Sequence, residues 1–126
     1  MIEEKLLLDW GTKIGATAQA ENVEKHQLEI LIASLESIRD DRECLLLTAA
    51  FAKKQSGRGL VGNQTTTKVI DALGELYKIG GNREDARKMF GVAKWVYEAS
   101  KEKKELLRKM EVRSIEEFVG LLSAGK

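Results

Sequence analysis

The sequence contains no proline, one cysteine and one histidine. Cys44 alone cannot form an internal disulfide, and with His26 it is too little for a zinc site of cysteines and histidines. No apolar run approaches the roughly 20 residues that cross a bilayer, and Glu3 and Glu4 stand where a signal peptide carries positive charge. We therefore expect an intracellular, cytoplasmic protein without disulfides, metal ions, cofactors or a membrane partner.

The residues that dominate the chain are those that form helices at little cost, chiefly Ala, Leu, Glu and Lys. A length of 126 residues suits one domain with its own modest core. We predict an all-α protein, with residues 1–126 folded as one antiparallel bundle of five to six helices without a sheet.

The spacing of apolar residues and capping residues divides the chain into six segments. Leu6, Trp10, Ile14 and Ala18 lie four apart and share one face of the first helix. The second helix follows residues 20–26 and runs to about Ile38. Further helices are predicted over residues 43–55, 66–79, 83–110 and 115–123. The expected N-caps are Asn22, Asp40 or Asp41, Thr65, and Ser114 in a capping box with Glu117. Asn82, after the break at Gly80 and Gly81, precedes the fifth helix.

The third predicted helix is apolar along most of its length, from Glu43 to Gln55. A helix that is apolar all round is normally buried. This segment is therefore predicted to lie at the centre of the core.

Charge is distributed unevenly along the chain. Residues 1–43 contain ten acids and five bases, a net charge of −5, whereas residues 44–126 contain ten acids and sixteen bases, a net charge of +6. The two parts could attract each other in neighbouring copies. Head-to-tail self-association is therefore one hypothesis for a partner.

Residues 53–68 contain four bases and no acid, and Gly57, Gly59 and Gly62 within them match the pattern G-x-G-x-x-G. In dinucleotide-binding folds this pattern links a strand to a helix, but the residues before Gly57 form a helical pattern. A P-loop is excluded too, because Asn63 and Gln64 follow Gly62 where Lys and Ser or Thr are required. Neither nucleotide motif is predicted.

The same stretch can bind an anion in a less specific way. Its bases are Lys53, Lys54, Arg58 and Lys68, and residues 65–67 are threonines at the start of the fourth helix. Free N–H groups at a helix N-terminus attract phosphate, and threonine hydroxyls add donors. The alternative is structural: the glycines form a turn, the threonines cap the helix and the bases are solvated.

A second basic feature is predicted on the long fifth helix. At 100° per residue, five bases fall within a narrow sector of its surface. They are Arg83, Arg87, Lys94, Lys101 and Arg108. Phe90 and Tyr97 border this sector, where aromatic rings can stack on the bases of a single strand, although an aromatic at the edge of an apolar stripe is also typical of a core. Trp95 lies apart and indicates a second buried side or a subunit contact.

No catalytic constellation stands out. His26 has no serine or cysteine partner nearby in sequence, and Cys44 lies among leucines, as a buried structural cysteine does. Acidic pairs such as Asp40 and Asp41 fall near helix starts, where negative charge is favourable in any protein. We do not predict an enzyme.

Three blocks of the chain resemble the small all-helical subunit of CRISPR effector complexes, particularly those of type III systems. They are LLLTAAFAKKQSGRG (45–59), TTTKVIDALGELYKIGG (65–81) and AKWVYEA (93–99). The resemblance implies a non-enzymatic protein that assembles with other subunits and holds the guide RNA and target strand by their backbones. It also implies that Lys53, Lys54 and Arg58 make such contacts.

Two functions remain open at this point. The first is a structural subunit that binds RNA or DNA backbone through a basic face, without reading sequence. The second is a helical adaptor that binds an acidic protein and no nucleic acid. A helix-turn-helix DNA reader is less well supported, because no short helix with base-reading polar residues is evident.

Overall fold

The computed structural model describes residues 2–124, with side chains up to residue 123. Seven α-helices and one short 3₁₀ turn account for most of this range, and no strand occurs in it. The helices are α1 (Glu4–Ala20), α2 (Lys25–Ser34), α3 (Glu43–Gly57), α4 (Asn63–Lys78), α5 (Arg83–Ala99), α6 (Lys104–Lys109) and α7 (Ile115–Ala124), and the 3₁₀ turn spans Lys101–Lys103. The predicted all-α class is confirmed.

The closest pair of helices is α1 with α5, and they run parallel. A Cβ atom built on Gly11 would lie 2.5 Å from the carbonyl oxygen of Met89, and one on Gly15 would lie 2.3 Å from that of Ala93. One turn further on, the Gln19 side-chain amide donates to the carbonyl of Tyr97 at 2.5 Å. Glycine at these two positions lets the backbones meet, because any side chain would hold them apart.

The other main contacts are antiparallel, as predicted. Gln55 donates to Gln27, and the hydroxyls of Ser34 and Thr48 hydrogen-bond to each other, which aligns α3 against α2 in opposite directions. The ion pairs Lys25–Glu98 and Lys94–Glu29 show that α2 and α5 also run in opposite directions. The short α3–α4 connection makes a hairpin. One end of the bundle therefore collects the C-termini of α1, α3 and α5 with the N-termini of α2 and α4.

Two apolar clusters hold these helices together. The larger one lies between α1, α2, α3, α4 and α5 and includes Ile14, Leu31, Leu73 and Phe90. The smaller cluster joins α6 and α7 to α1 and α5 through Leu107, Val112 and Phe118, which contact Ala16 and Val96. Among the described residues, no helix has the length and apolar character needed to cross a bilayer.

The predicted helix starts have mixed outcomes. Asn82 forms a full capping box with Asp85, each side chain accepting from the other's backbone N–H. The N-cap of α3 is Arg42 and neither Asp40 nor Asp41, so that prediction is wrong. Asp40 Oδ1 nevertheless accepts from the N–H groups of Glu43 and Arg42, both at 2.8 Å, and these bonds lower the pKa of Asp40. The prediction for Asn22 is wrong: this residue has φ 65° in the turn after α1, and α2 begins later, at Lys25.

The capping box at Ser114 is half formed. Ser114 Oγ accepts from the N–H of Glu117 at 3.1 Å, as predicted. The Glu117 carboxylate accepts instead from the N–H of Arg113, one residue earlier, at 2.8 Å. The start of α7 is nevertheless fixed as the sequence indicates.

Two predicted boundaries are wrong. The second helix stops at Ser34 instead of about Ile38, and Ser34 Oγ donates back to the carbonyl of Leu31. The fifth helix stops at Ala99 instead of Met110, which turns one predicted helix into α5, the 3₁₀ turn and α6. Ser100 is fully buried and donates to the carbonyl of Tyr97. The break lets Leu107 in α6 reach the smaller cluster on α1.

The glycines of α1 provide a test of the parallel contact. Gly15→Ala should lower the free energy of unfolding by about 1–3 kcal/mol, because the new methyl group meets the backbone of Ala93. Urea denaturation followed by circular dichroism measures this.

The matched control is Gly74→Ala, inside α4, where an added Cβ meets nothing within 4 Å. It should stabilise the protein by about 0.5–1 kcal/mol through helix propensity alone. Equal effects of the two substitutions would contradict the close α1–α5 contact.

Candidate nucleic-acid interface

The N-terminus of α4 is occupied by a carboxylate of the protein itself. Glu21, just after α1, accepts from Thr65 N at 2.7 Å, from Thr65 Oγ1 at 2.6 Å and from Gln64 N at 3.0 Å. Thr65 is therefore not the N-cap, which is Gly62, but a buried residue in the first turn. The groups that were expected to attract an external phosphate already bind an anion.

The other two threonines are also engaged inside the helix. Thr66 Oγ1 donates to the carbonyl of Gly62 at 2.9 Å and Thr67 Oγ1 donates to that of Asn63 at 3.0 Å. Hydroxyls that bond back one turn are not free donors for a ligand. For this run of threonines, the structural alternative is the one that matches the geometry.

The glycines before α4 end one helix and begin the next. Gly59 has φ +76°, and the N–H of Leu60 donates to the carbonyl of Gln55 at 3.0 Å, which closes the last turn of α3. Gly62 lies so close to Glu21 that a Cβ there would be 2.3 Å from the carboxylate. The segment before them is α3, a helix, so the rejection of a dinucleotide-binding turn is confirmed.

The predicted basic row on the fifth helix does not exist as one face. Arg83, Arg87 and Lys94 lie on α5, whereas Lys101 is in the 3₁₀ turn and Arg108 is in α6. The projection at 100° per residue fails because the helix breaks at Ser100. The prediction that these five bases share one helix face is therefore wrong.

The three bases that do lie on α5 form its contact with α2 and the segment after it. Arg87 makes two hydrogen bonds of 2.9 Å to the Glu36 carboxylate, and Lys94 pairs with Glu29 at 3.3 Å. Hydrogen bonds to Glu36 and then Glu84 raise the pKa of Arg87. These cations already have carboxylate partners, so a polyanion would have to displace them.

Arg83 is the most enclosed of these bases. Its side chain is 14% exposed and pairs with Asp41 at 2.8 Å. It also donates to the carbonyls of Leu35 and Ile38. Arg83 therefore holds the α2–α3 connection against α5.

Lys68 and Arg108 are paired as well, around a cleft of about 550 Å³ between α1, α4 and residues 107–112. Lys68 pairs with Glu111 at 3.0 Å, which lowers the pKa of that carboxyl group. Arg108 pairs with Glu105 at 2.7 Å and donates to the carbonyl of Ala20. The cleft is polar, and these two cations are bound to groups of the chain.

Four of the nine predicted contact residues differ from the rest. Within the described residues, Lys53, Lys54, Arg58 and Lys101 make no ion pair. All four are exposed. The first three lie at the C-terminus of α3, and Lys101 follows the C-terminus of α5, so all four belong to the same end of the bundle. We call these four residues the basic end.

Other charges at this end were not identified from the sequence. Lys103 and Lys104 also lie here because α5 stops early, and Lys104 donates to Asn22. Of the nearby acids, Glu21 is bound to α4 and Glu98 pairs with Lys25 at 2.7 Å, whereas Glu24 and Glu102 are exposed. Positive charge therefore predominates at this end. The sequence does not indicate that Lys103 and Lys104 belong to it, because nothing in the sequence marks the end of α5 at Ala99.

The aromatic residues fall into two groups. Phe90 is 1% exposed and belongs to the larger cluster, so its interpretation as a core residue is confirmed. Tyr97 is half-buried and donates to the carbonyl of Val23. Trp95, by contrast, is 77% exposed on α5. It is the aromatic side chain that offers a free ring to a partner.

Residues with reactive chemistry are separate from one another. Cys44 is fully buried, and burial is the main cause that raises the pKa of its thiol, which disfavours a nucleophilic thiolate. His26 is exposed near the start of α2. Within the described residues, no group of three or more His, Cys, Asp and Glu side chains is placed to hold a metal ion.

Comparisons with protein-family models, with curated proteins and with solved structures found no match to this chain. Its function has to be inferred from its own residues and surface.

The cap supplied by Glu21 can be tested by removing it. Glu21→Ala should lower the free energy of unfolding by about 2 kcal/mol, because it leaves the N–H and hydroxyl of Thr65 without their acceptor. Thermal and urea unfolding of the variant measure the loss.

Glu24→Ala is the control, since Glu24 is exposed and makes no side-chain cap at the start of α2. A surface change of this kind should stay within about 0.5 kcal/mol of the wild type. A Glu21 variant that is as stable as the Glu24 variant would show that the carboxylate is not needed at α4.

Proposed function

We propose that this chain is a non-enzymatic subunit that binds the phosphate backbone of single-stranded RNA or DNA through its basic end, in the cytoplasm. The observation that supports the proposal most is that Lys53, Lys54, Arg58 and Lys101 lie exposed at one end of the bundle without carboxylate partners among the described residues. Cations of this kind can release bound counterions from a strand and gain affinity without reading bases.

Competition within the chain explains why this end is favoured over the paired bases of α5. A phosphate that approaches Arg87 or Lys94 meets Glu36 or Glu29 at the same cation. At the basic end, Lys53, Lys54, Arg58 and Lys101 make no ion pair within the described residues that a phosphate would have to displace, although Glu24 and Glu102 are exposed at the same end. The lysines are also flexible enough to follow a strand of irregular shape.

The resemblance to small CRISPR subunits specifies the proposal further. The block LLLTAAFAKKQSGRG includes three of the four residues of the basic end, Lys53, Lys54 and Arg58. On this proposal the strand is the guide RNA or its target, and the partners are other subunits of an RNA-guided effector complex.

A second candidate function is a protein adaptor without nucleic-acid binding. Trp95, at 77% exposure, favours it, because exposed tryptophans are common anchors of protein interfaces. An acidic partner could then neutralise the basic end. The two functions differ in whether isolated RNA binds at all.

Fluorescence anisotropy with a labelled oligouridine distinguishes these functions. For the wild type, the logarithm of the association constant should fall with the logarithm of salt concentration with a slope of about −2 to −3, or roughly −0.7 per phosphate contacted. The variant Lys53→Gln, Lys54→Gln, Arg58→Gln should bind at least about tenfold more weakly at low salt and show a slope nearer −1.

A matched control removes the same charge elsewhere. Arg39, Lys78 and Lys88 are exposed, make no ion pair among the described residues and lie away from the basic end. The variant Arg39→Gln, Lys78→Gln, Lys88→Gln should bind like the wild type. Equal losses in both triple variants would indicate a general charge effect, and a wild type that binds no RNA at any salt concentration would refute the proposal.

A further inference from the structure

The outer face of α3 is apolar and uncovered. Cys44, Leu45, Leu46 and Leu47 are consecutive, so at about 100° per residue they surround the helix. Cys44 and Leu45 face the core and are fully buried, whereas Leu46 is 40% exposed and Leu47 is 39% exposed. A helix that is apolar on every side is expected to be covered on every side.

A groove lies beside this face, between α2 and α3. Its volume is about 520 Å³. Its lining is mostly apolar, with Ile30, Ala33, Leu47, Ala50 and Phe51, and it also includes Ser34, Ser37 and Lys54. Leu46 does not line the groove but is exposed next to Leu47 on α3, so an apolar ridge of one leucine lies beside the groove.

We propose that this surface, made of α3 and the α2–α3 groove, binds a second copy of this chain, with the two α3 helices antiparallel across a two-fold axis. A two-fold contact requires a surface that complements itself. A ridge next to a groove meets that requirement, because each copy inserts its Leu46 ridge into the groove of the other.

Charge decides the direction of the pairing. Residues 36–43, before and at the start of α3, contain four acids, Glu36, Asp40, Asp41 and Glu43, and two bases, Arg39 and Arg42. The other end of α3 carries Lys53, Lys54 and Arg58 and no acid. Antiparallel helices place the basic end of each α3 beside the acidic start of the other, whereas parallel helices would place like charges together.

Within the chain, Glu36 and Asp41 already pair with Arg87 and Arg83, so Glu43 is the acid on which this contact depends. The Asp41 side chain is 66% exposed although it pairs with Arg83. Glu43 is exposed and accepts a hydrogen bond from the hydroxyl of Tyr77. Lys54 and Glu43 of one chain are eleven residues apart on one helix, about 16 Å at 1.5 Å per residue. They can therefore meet between chains and not within one.

Sedimentation velocity of the full chain at high micromolar concentration tests the dimer. The wild type should sediment with twice the chain mass of 14.1 kDa. Leu47→Arg should weaken dimerisation at least about tenfold, since it puts a charge into the groove. Because Leu47 is exposed, the variant should keep its helix content by circular dichroism. A wild type that is monomeric throughout would overturn the proposal.

Two further variants establish the surface and the direction. Trp95→Arg changes an apolar residue of α5 that is even more exposed, at 77% against 39% for Leu47, and should leave the dimer intact. Loss of the dimer here, and not in Leu47→Arg, would place the interface elsewhere. Lys54→Glu should weaken the dimer, and adding Glu43→Lys should restore it, because the swapped charges meet across the axis. Failure of the swap to restore the mass would exclude the antiparallel arrangement.

This inference does not rest on the proposed function. Leu47→Arg should bind oligouridine at least as well as the wild type, because the substitution removes no cation and leaves the basic end free of a second copy. A wild type that does not bind RNA would refute the nucleic-acid proposal, whereas the dimer proposal is decided separately by the mass from sedimentation.

Discussion

The close parallel contact of α1 with α5 determines where the other helices can lie. Gly11 and Gly15 bring the two backbones together, and the end of α1 then lies beside the end of α5. From that position Glu21 reaches the start of α4. The same contact leaves another side of α5 to face α2 and the segment after it, where Arg87 pairs with Glu36 and Lys94 pairs with Glu29. The charge contacts made by Glu21, Arg87 and Lys94 therefore depend on the close packing at Gly11 and Gly15.

The uneven charge of the sequence has a structural explanation in these contacts. Several acids of the first 43 residues neutralise groups that come later in the chain: Glu21 binds the start of α4, and Glu29, Glu36 and Asp41 pair with bases of α5. The acidic third of the chain is therefore largely an internal counterpart of the basic part. Lys53, Lys54 and Arg58 at the C-terminus of α3 are among the bases that pair with no acid of the described residues, and a polyanion or another acidic surface can meet them there.

Local sequence patterns predicted the fold well, whereas contacts between residues far apart in the sequence could not be predicted. The start of α5 after Asn82, the glycine turn after α3 and the burial of Phe90 follow from spacing within a few residues. The end of α5 at Ser100 is marked by no glycine or proline, and it depends on burial of Ser100 and on the docking of α6. Likewise Glu21 lies 44 residues from Thr65, so its occupation of the α4 N-terminus appears only once α1 and α4 are packed. The predicted basic row from Arg83 to Arg108 is not one continuous face because the helix ends at Ser100, which the local sequence does not indicate.

The position of α3 connects the two proposals. Its sequence is that of a central helix, yet in one chain α3 lies at the edge with Leu46 and Leu47 uncovered. A second copy would make α3 central after all, as one of four helices at a two-fold interface. It would also bring acids next to Lys54 and Arg58, two residues of the basic end. Binding of a strand and binding of a second copy then compete for the same cations, so a strand that prefers the monomer shifts the equilibrium toward it by mass action. Salt weakens both charge contacts but not the burial of Leu46 and Leu47, and for that reason higher salt favours the dimer over the strand.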